Sequence, residues 1–223
     1  MKDLRVLVIA PHCDDEVLGV GGTIACWANK GAVVTVAIVT RGFPPAFTEE
    51  EATREQEEIR RAHELLKVHE TVRLDFPAAA LDTVPHSNLN AALREVYLRV
   101  LPEIVFVPFL GDVHRDHQLV FNSAMVMCRP NGGHRPRNIL AYEALSETNW
   151  NAPLLTSGFI PNTFIDIGEH LENKLAAFRA YESQVRTFPN ERSIESLRAL
   201  AMLRGSTVHL KAAEAFISLR AIL

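Results

Sequence analysis

The chain has 223 residues, 48% of them hydrophobic, and a formal net charge of −4, which predicts one domain over residues 1–223 with a sizeable core. That charge gives no reason to expect nucleic acid or an anionic membrane as partner, and no apolar stretch is long enough to span a bilayer. Cys13, Cys26 and Cys128 share no CxxC spacing and suggest no disulfide framework; with no signal-peptide pattern at Met1 to Arg5, they point to a soluble, cytoplasmic protein.

The apolar run Val6-Leu7-Val8-Ile9-Ala10 reads as the core of a first strand beginning at Arg5. A helix from about Glu16 to Asn29 follows, and Gly31 ends it. Val33 to Thr40 is the second strand. Thr48 is expected to cap a charged helix running to about Leu66, with Glu51 completing a capping box. On that helix Arg54, Glu55, Glu57, Glu58, Arg60 and Arg61 read mostly as a solvated face. His63 and His69 read as surface residues. Thr71 to Leu74 is a short third strand, and Asn88 or Asn90 is expected to cap a helix through Leu101. Ile104 to Val107 forms a fourth strand, and Asp116 to Met127 has helical spacing. Ile139 to Tyr142 and Phe164 to Asp166 are later strands. From Leu171 onward the chain reads as mainly helical, broken by Pro189 and Gly205. Strands alternating with helices predict an α/β, Rossmann-like three-layer fold with a mainly parallel sheet and a helical C-terminal region.

Two segments carry chemistry: Pro11-His12-Cys13-Asp14-Asp15-Glu16 after the first strand, and His114-Arg115-Asp116-His117 after the fourth. In a parallel sheet both loops emerge at the C-terminal edge, where such sheets bind ligands. Crowded acids make a poor core, because buried unpaired charges are costly. A metal ion accepts imidazole and carboxylate together, and three protein ligands with one open position is the plan of a catalytic zinc site. Each segment alone has a bland explanation, a satisfied histidine or an aspartate capping a helix. The pair at equivalent sheet positions outweighs it. Gly19, Gly21 and Gly22 lack the third glycine of a dinucleotide fingerprint, since Ile24 stands there. Close packing of the helix on the sheet explains them better.

The first segment, with Gly21-Gly22-Thr23, resembles the PHPDDE signature of the LmbE/PIG-L family of zinc-dependent N-acetylglucosaminyl deacetylases, and His114 to His117 resembles that family's HPDH motif. Arg54-Glu55-Gln56-Glu57, Lys174, Tyr181-Glu182-Ser183-Gln184 and Ala213-Glu214-Ala215-Phe216 are similar to its later stretches. Cys13 and Arg115 replace the two motifs' prolines, at spacer positions. The resemblance implies zinc, or another divalent metal such as iron, on His12, Asp15 and His117. It implies Asp14 as general base, a protonated His114 stabilising the oxyanion, Asp116 as that histidine's partner, and Arg54 as a substrate-holding residue. The implied substrate is an N-acetylated amino sugar or glycoconjugate, with homo-oligomers known among relatives. Specificity is expected in the loops after Thr40, Leu74 and Tyr142. An amidase of a sugar–thiol conjugate, a non-catalytic zinc or glycan-binding module and a nicotinamide enzyme are the alternatives. Tyr142 and Trp150 are further candidates to line a sugar site.

Overall fold

The computed structural model describes residues 1–130, 133–152 and 154–222. Apolar, β-branched runs form the strands β1 (Arg5–Ala10), β2 (Val33–Arg41), β4 (Ile104–Pro108) and β5 (Asn138–Tyr142), whose central residues are buried. Burial on both faces is what a continuous apolar run demands of a parallel strand. Strand β3 (Glu70–Pro77) extends beyond the predicted four residues. Short β6 (Thr163–Asp166) and β7 (Ala213–Ala221) complete one seven-stranded sheet in the order β3-β2-β1-β4-β5-β7-β6. The first five strands in that order run parallel, and β7 lies antiparallel to both β5 and β6.

Helices α1 (Asp15–Asn29), α2 (Glu49–Leu66), α5 (Leu171–Ala180) and α6 (Ile194–Thr207) contribute to one core, with Val17, Ile59, Phe178 and Leu197 packed together. On the other face, α3 (His86–Val100) and α4 (Arg115–Met127) bury Leu93 and Val120 against β1, β4 and β5. The result is the mainly parallel three-layer fold that the strand–helix alternation implies. Thr48 caps α2 through a complete capping box with Glu51, and Gly31 takes a left-handed φ of +87° just after α1.

Three readings need correction. The chain does not end in helix: β7 inserts between β5 and β6, and Gly205 lies inside α6 rather than breaking it. Its Cα passes so close to the next turn that a Cβ there would stand 2.7 Å from Ala212 Cα. Helix α3 begins at His86 after Pro85, ahead of both asparagines. His63 and Glu58, placed on a solvated face, are buried at 4% and 0% exposure. Each has polar partners there. Ser183 donates to Glu58 from its N–H and its hydroxyl (2.9 and 2.6 Å), and His63 contacts Thr71 Oγ1 at 2.6 Å and Glu16 at 3.3 Å.

The glycines of α1 do pack the helix on its neighbours. A Cβ on Gly19 would sit 2.2 Å from the Tyr142 ring, and one on Gly22 would sit 2.7 Å from Ile167.

Candidate metal centre and active site

The strand order reverses at β1, which has β2 on one side and β4 on the other. Loops leaving neighbouring strands in opposite senses open a crevice at such a switch point. Both motif segments border it. The rings of His12 and His117, 105 positions apart in the chain, stand with centroids 5.2 Å apart.

Asp15 joins the two segments. Its Oδ2 lies 3.4 Å from His12 Nδ1 and 3.2 Å from His117 Nε2, and accepts the His12 backbone N–H at 2.9 Å. The potential ligand atoms of His12, Asp15 and His117 all fall within 4.8 Å of one another. His117 Nε2 is buried, and although Asp15 Oδ2 stands 3.2 Å away the angles form no hydrogen bond, so the nitrogen has no hydrogen-bond partner among the described residues. Its other nitrogen is fixed by Asp112 Oδ2 at 2.8 Å. An imidazole whose rear nitrogen meets a carboxylate while its front nitrogen stays unpartnered is the arrangement of a metal-binding histidine. His12 is built alike, with Asp116 Oδ2 3.1 Å from its Nε2. The donor set of two imidazoles and a carboxylate therefore fits a divalent cation such as zinc.

Electrostatics agree. Burial alone would lower the pKa of His12, but hydrogen bonds to Asp116 and Asp15 outweigh it and raise the value to about 9. Burial likewise disfavours charge on His117, and the Asp15 charge with the Asp112 hydrogen bond raises it well above the ordinary range. The neighbouring carboxylates thus favour protons on both rings. A cation entering here displaces them, as metal binding does at histidine sites.

Asp14 precedes α1 with φ of 90°, an uncommon left-handed conformation for a residue other than glycine. Its side chain makes no capping hydrogen bond, so the capping alternative fails here. Oδ2 instead accepts from Arg192 Nη2, while buried Oδ1 has no partner among the described residues. Burial raises its pKa to about 7, against the charge of Arg192.

His114 caps α4: its Nδ1 accepts the Asp116 N–H at 3.1 Å. That bond keeps the ring neutral with its proton on Nε2, and burial also lowers its pKa. The Asp116 carboxylate is directed elsewhere than to His114. It meets His12 and accepts the N–H groups of Ala79 and Leu81 at 2.8 and 3.2 Å.

A cavity of about 210 Å³ opens beside these groups, lined also by Thr40, Arg41, Phe47, Glu55, Ala78, Ala79, Glu147, Gln184 and Arg192. All three loops expected to set specificity reach it. Arg54 does not line it; it is exposed on the outer face of α2, in a shallow groove with Thr53 and Glu57. Cys13 lines the cavity, but burial, then the charge of Glu55, push its thiol well up, and it joins no potential ligand group among the described residues. Tyr142 is core, its hydroxyl donating to the Ile9 carbonyl at 2.9 Å. Trp150 is 65% exposed and donates to Glu191.

The family described as PIG-L, GlcNAc-PI de-N-acetylase, matches residues 7–128, more than half of the chain. The chain belongs to the PIG-L family. It is a deacetylase of that family, a hydrolase acting on amide bonds. It is 32% identical to the uncharacterized deacetylase YaiS of Escherichia coli over 194 residues, covering 82% of this chain and 92% of that one. The solved structure of the conserved protein TT1542 from Thermus thermophilus superposes with a TM-score of 0.80 at 26% identity, over 99% of this chain and 96% of the other. The N,N'-diacetylchitobiose deacetylase from Pyrococcus horikoshii gives a TM-score of 0.75 at 25% identity, over 96% of this chain and 83% of the other.

Three residues that border this PIG-L deacetylase's candidate site, Asp112, Arg192 and Glu147, escape a reading of its motifs. Asp112 had a usable signal, an acid in the polar loop five positions before His117. Arg192 and Glu147 had none, because each arrives on an irregular loop distant in sequence. Asp112 is fully buried and is itself held by Thr148 Oγ1 at 2.6 Å. Asp112→Ala is expected to weaken metal affinity about 10–100-fold, with the fold retained. Competition titration against a chelating dye reads this directly, and unchanged affinity would remove Asp112 from the metal-orienting role.

Proposed function

We propose that this deacetylase removes the acetyl group from an N-acetylated amino sugar or glycoconjugate, using zinc held by His12, Asp15 and His117. One observation carries the reading: an unpartnered imidazole nitrogen of His117 and an unpartnered carboxylate oxygen of Asp14 are buried in the same crevice. A binding module has no use for the second. When bound, a zinc ion polarises the amide carbonyl and brings the pKa of water at the site to about 7.

The chain's own groups supply the rest. Asp14 takes the water's proton through Oδ1, while Arg192 fixes the carboxylate through Oδ2. His114, anchored as a helix cap, presents Nε2–H to the oxygen that becomes negative as the carbonyl is attacked. A preorganised donor of this kind is worth about 3 kcal/mol. Asp116 and Asp112 hold the two ligand imidazoles. A cavity of about 210 Å³ lies below the roughly 300–1,000 Å³ typical of sites for drug-sized ligands, which suits one acylated sugar unit. Arg54, exposed on α2, would hold only a portion of substrate that extends beyond the cavity.

Acetate release from N-acetylglucosamine, its glycosides and N,N'-diacetylchitobiose tests the reading. Release is expected from at least one, abolished by a chelator and restored by zinc. No release from any member by metal-loaded protein would overturn the amino-sugar assignment.

A further inference from the structure

Glu147 takes no part in the machinery above, yet its side chain lines the same cavity. It stands just before the short 3-10 turn Thr148–Trp150 that follows β5. The segment is fastened to the metal site at two points. Thr148 Oγ1 donates to Asp112, and the Val113 N–H donates to the Glu147 carbonyl at 3.3 Å. The cavity thus meets Asp14, beside Asp15, from the β1 side, Glu55 from α2, and Glu147 from the β5 side. Their surroundings differ: Asp14 has a guanidinium on one oxygen, whereas Glu147 Oε2 is buried with no hydrogen-bond partner among the described residues.

A buried polar atom left unpartnered is costly, and a ligand that supplies the partner removes that cost. Burial also holds the Glu147 carboxyl above the usual carboxylate range, against the charge of His117. A carboxyl group that holds its proton more firmly than usual and faces a reaction cavity can serve as a general acid. Amide hydrolysis needs one, because an amine anion is too basic to leave unprotonated.

We propose that Glu147 is a second catalytic carboxyl group, which contacts the leaving nitrogen of the substrate and gives it a proton. The inference rests on the amide-hydrolase reading and deepens it. Water loses one proton to Asp14 while its oxygen bonds to the carbonyl carbon, giving a tetrahedral oxyanion. The nitrogen then takes the Glu147 proton, and the C–N bond breaks with its electron pair going to nitrogen. The carbonyl re-forms, releasing acetic acid and the free amine. Asp14 is left protonated and Glu147 ionised, and proton exchange with solvent restores both.

Glu147→Gln keeps the side chain's size and its hydrogen-bonding capacity but has no proton to give. Metal-loaded wild type and variant are compared on an N-acetyl amino sugar and on para-nitrophenyl acetate, whose phenolate leaves without protonation. The expected result is a loss of about 100-fold or more in kcat on the amide. KM, metal content and the chelator-sensitive ester hydrolysis should all stay within about threefold. Amide turnover that survives the substitution overturns this inference alone. So does an equal loss on ester and amide, which would mark a structural role. Wild type that hydrolyses the ester and no amide overturns both the inference and the reading beneath it.

Discussion

Asp14→Asn is expected to bind metal like the parent protein while losing about 10²–10⁴-fold in kcat, the usual worth of a positioned general base. The structure separates this residue from the three potential ligands that surround it in sequence and space. His12, Asp15 and His117 bring donor atoms within 4.8 Å of one another, and Asp14 is not in that set. Asparagine matches the carboxylate in size and can keep an oxygen toward Arg192, so the loop should hold its course. What disappears is the capacity of Oδ1 to accept a proton. His12→Ala should lose metal and activity together, because it removes a donor and leaves Asp116 without its imidazole. Zinc content by atomic emission, measured beside acetate release, distinguishes the two variants. Equal metal loss in both would make Asp14 a ligand and sink the division of labour.

The parts of the fold that could be read from sequence are those where one local pattern suffices. Val6 to Ala10 and Val33 to Thr40 are unbroken apolar runs, and such runs in a parallel sheet are buried on both faces. Strand β7 gave no such signal. Ala213 to Ala221 is buried over its first four residues and progressively exposed after them, so it shows neither a continuous run nor clean alternation. Its place between β5 and β6 follows from long-range antiparallel pairing, which no short window of sequence reports. His63 misled for a related reason. A histidine among charged helical residues looks solvated until Glu16 and Thr71 arrive from other elements to receive it.

The site divides in the same way. His12, Asp14, Asp15, His114, Asp116 and His117 lie in two compact motifs at strand ends, so topology alone brings them to one crevice. Which carboxylate serves which ring is set by loop conformation. The Asp116 side chain meets His12 rather than its neighbour His114, because His114 Nδ1 is already engaged by the Asp116 N–H at the helix start. Arg192 reaches Asp14 from the loop before α6, and that meeting depends on the whole path from Tyr181 to Ser193. The motif Tyr181-Glu182-Ser183-Gln184 now has physical content along that path. Tyr181 donates to buried Glu16 at 2.6 Å, Ser183 bonds Glu58, and Gln184 lines the cavity.

The second large effect expected is on stability, from Lys174→Met. Lys174 and Glu214 form a buried ion pair at 2.6 Å, with 4% exposure each. The pair is bonded into the backbone of α1: Lys174 Nζ donates to the Leu18 carbonyl at 2.8 Å, and Glu214 accepts the N–H groups of Gly22 and Thr23 at 2.9 and 2.7 Å. In a regular helix the Gly22 N–H would pair with the Leu18 carbonyl. Here an α5 side chain and a β7 side chain address these groups, tying the helix that carries Asp15 to both elements. Removing the lysine leaves a carboxylate in the core with two amides and no cation. Breaking one side of such a pair costs about 3–5 kcal/mol, which for a chain of this size lowers Tm by roughly 6–20 °C. The double variant Lys174→Met/Glu214→Gln removes both charges and keeps an acceptor for one amide, so it should recover part of the loss. Thermal unfolding of the two variants beside the parent decides the matter. A single variant within about 1 °C of the parent would mean the buried charge is relieved some other way, and the lock on α1 would have to be abandoned.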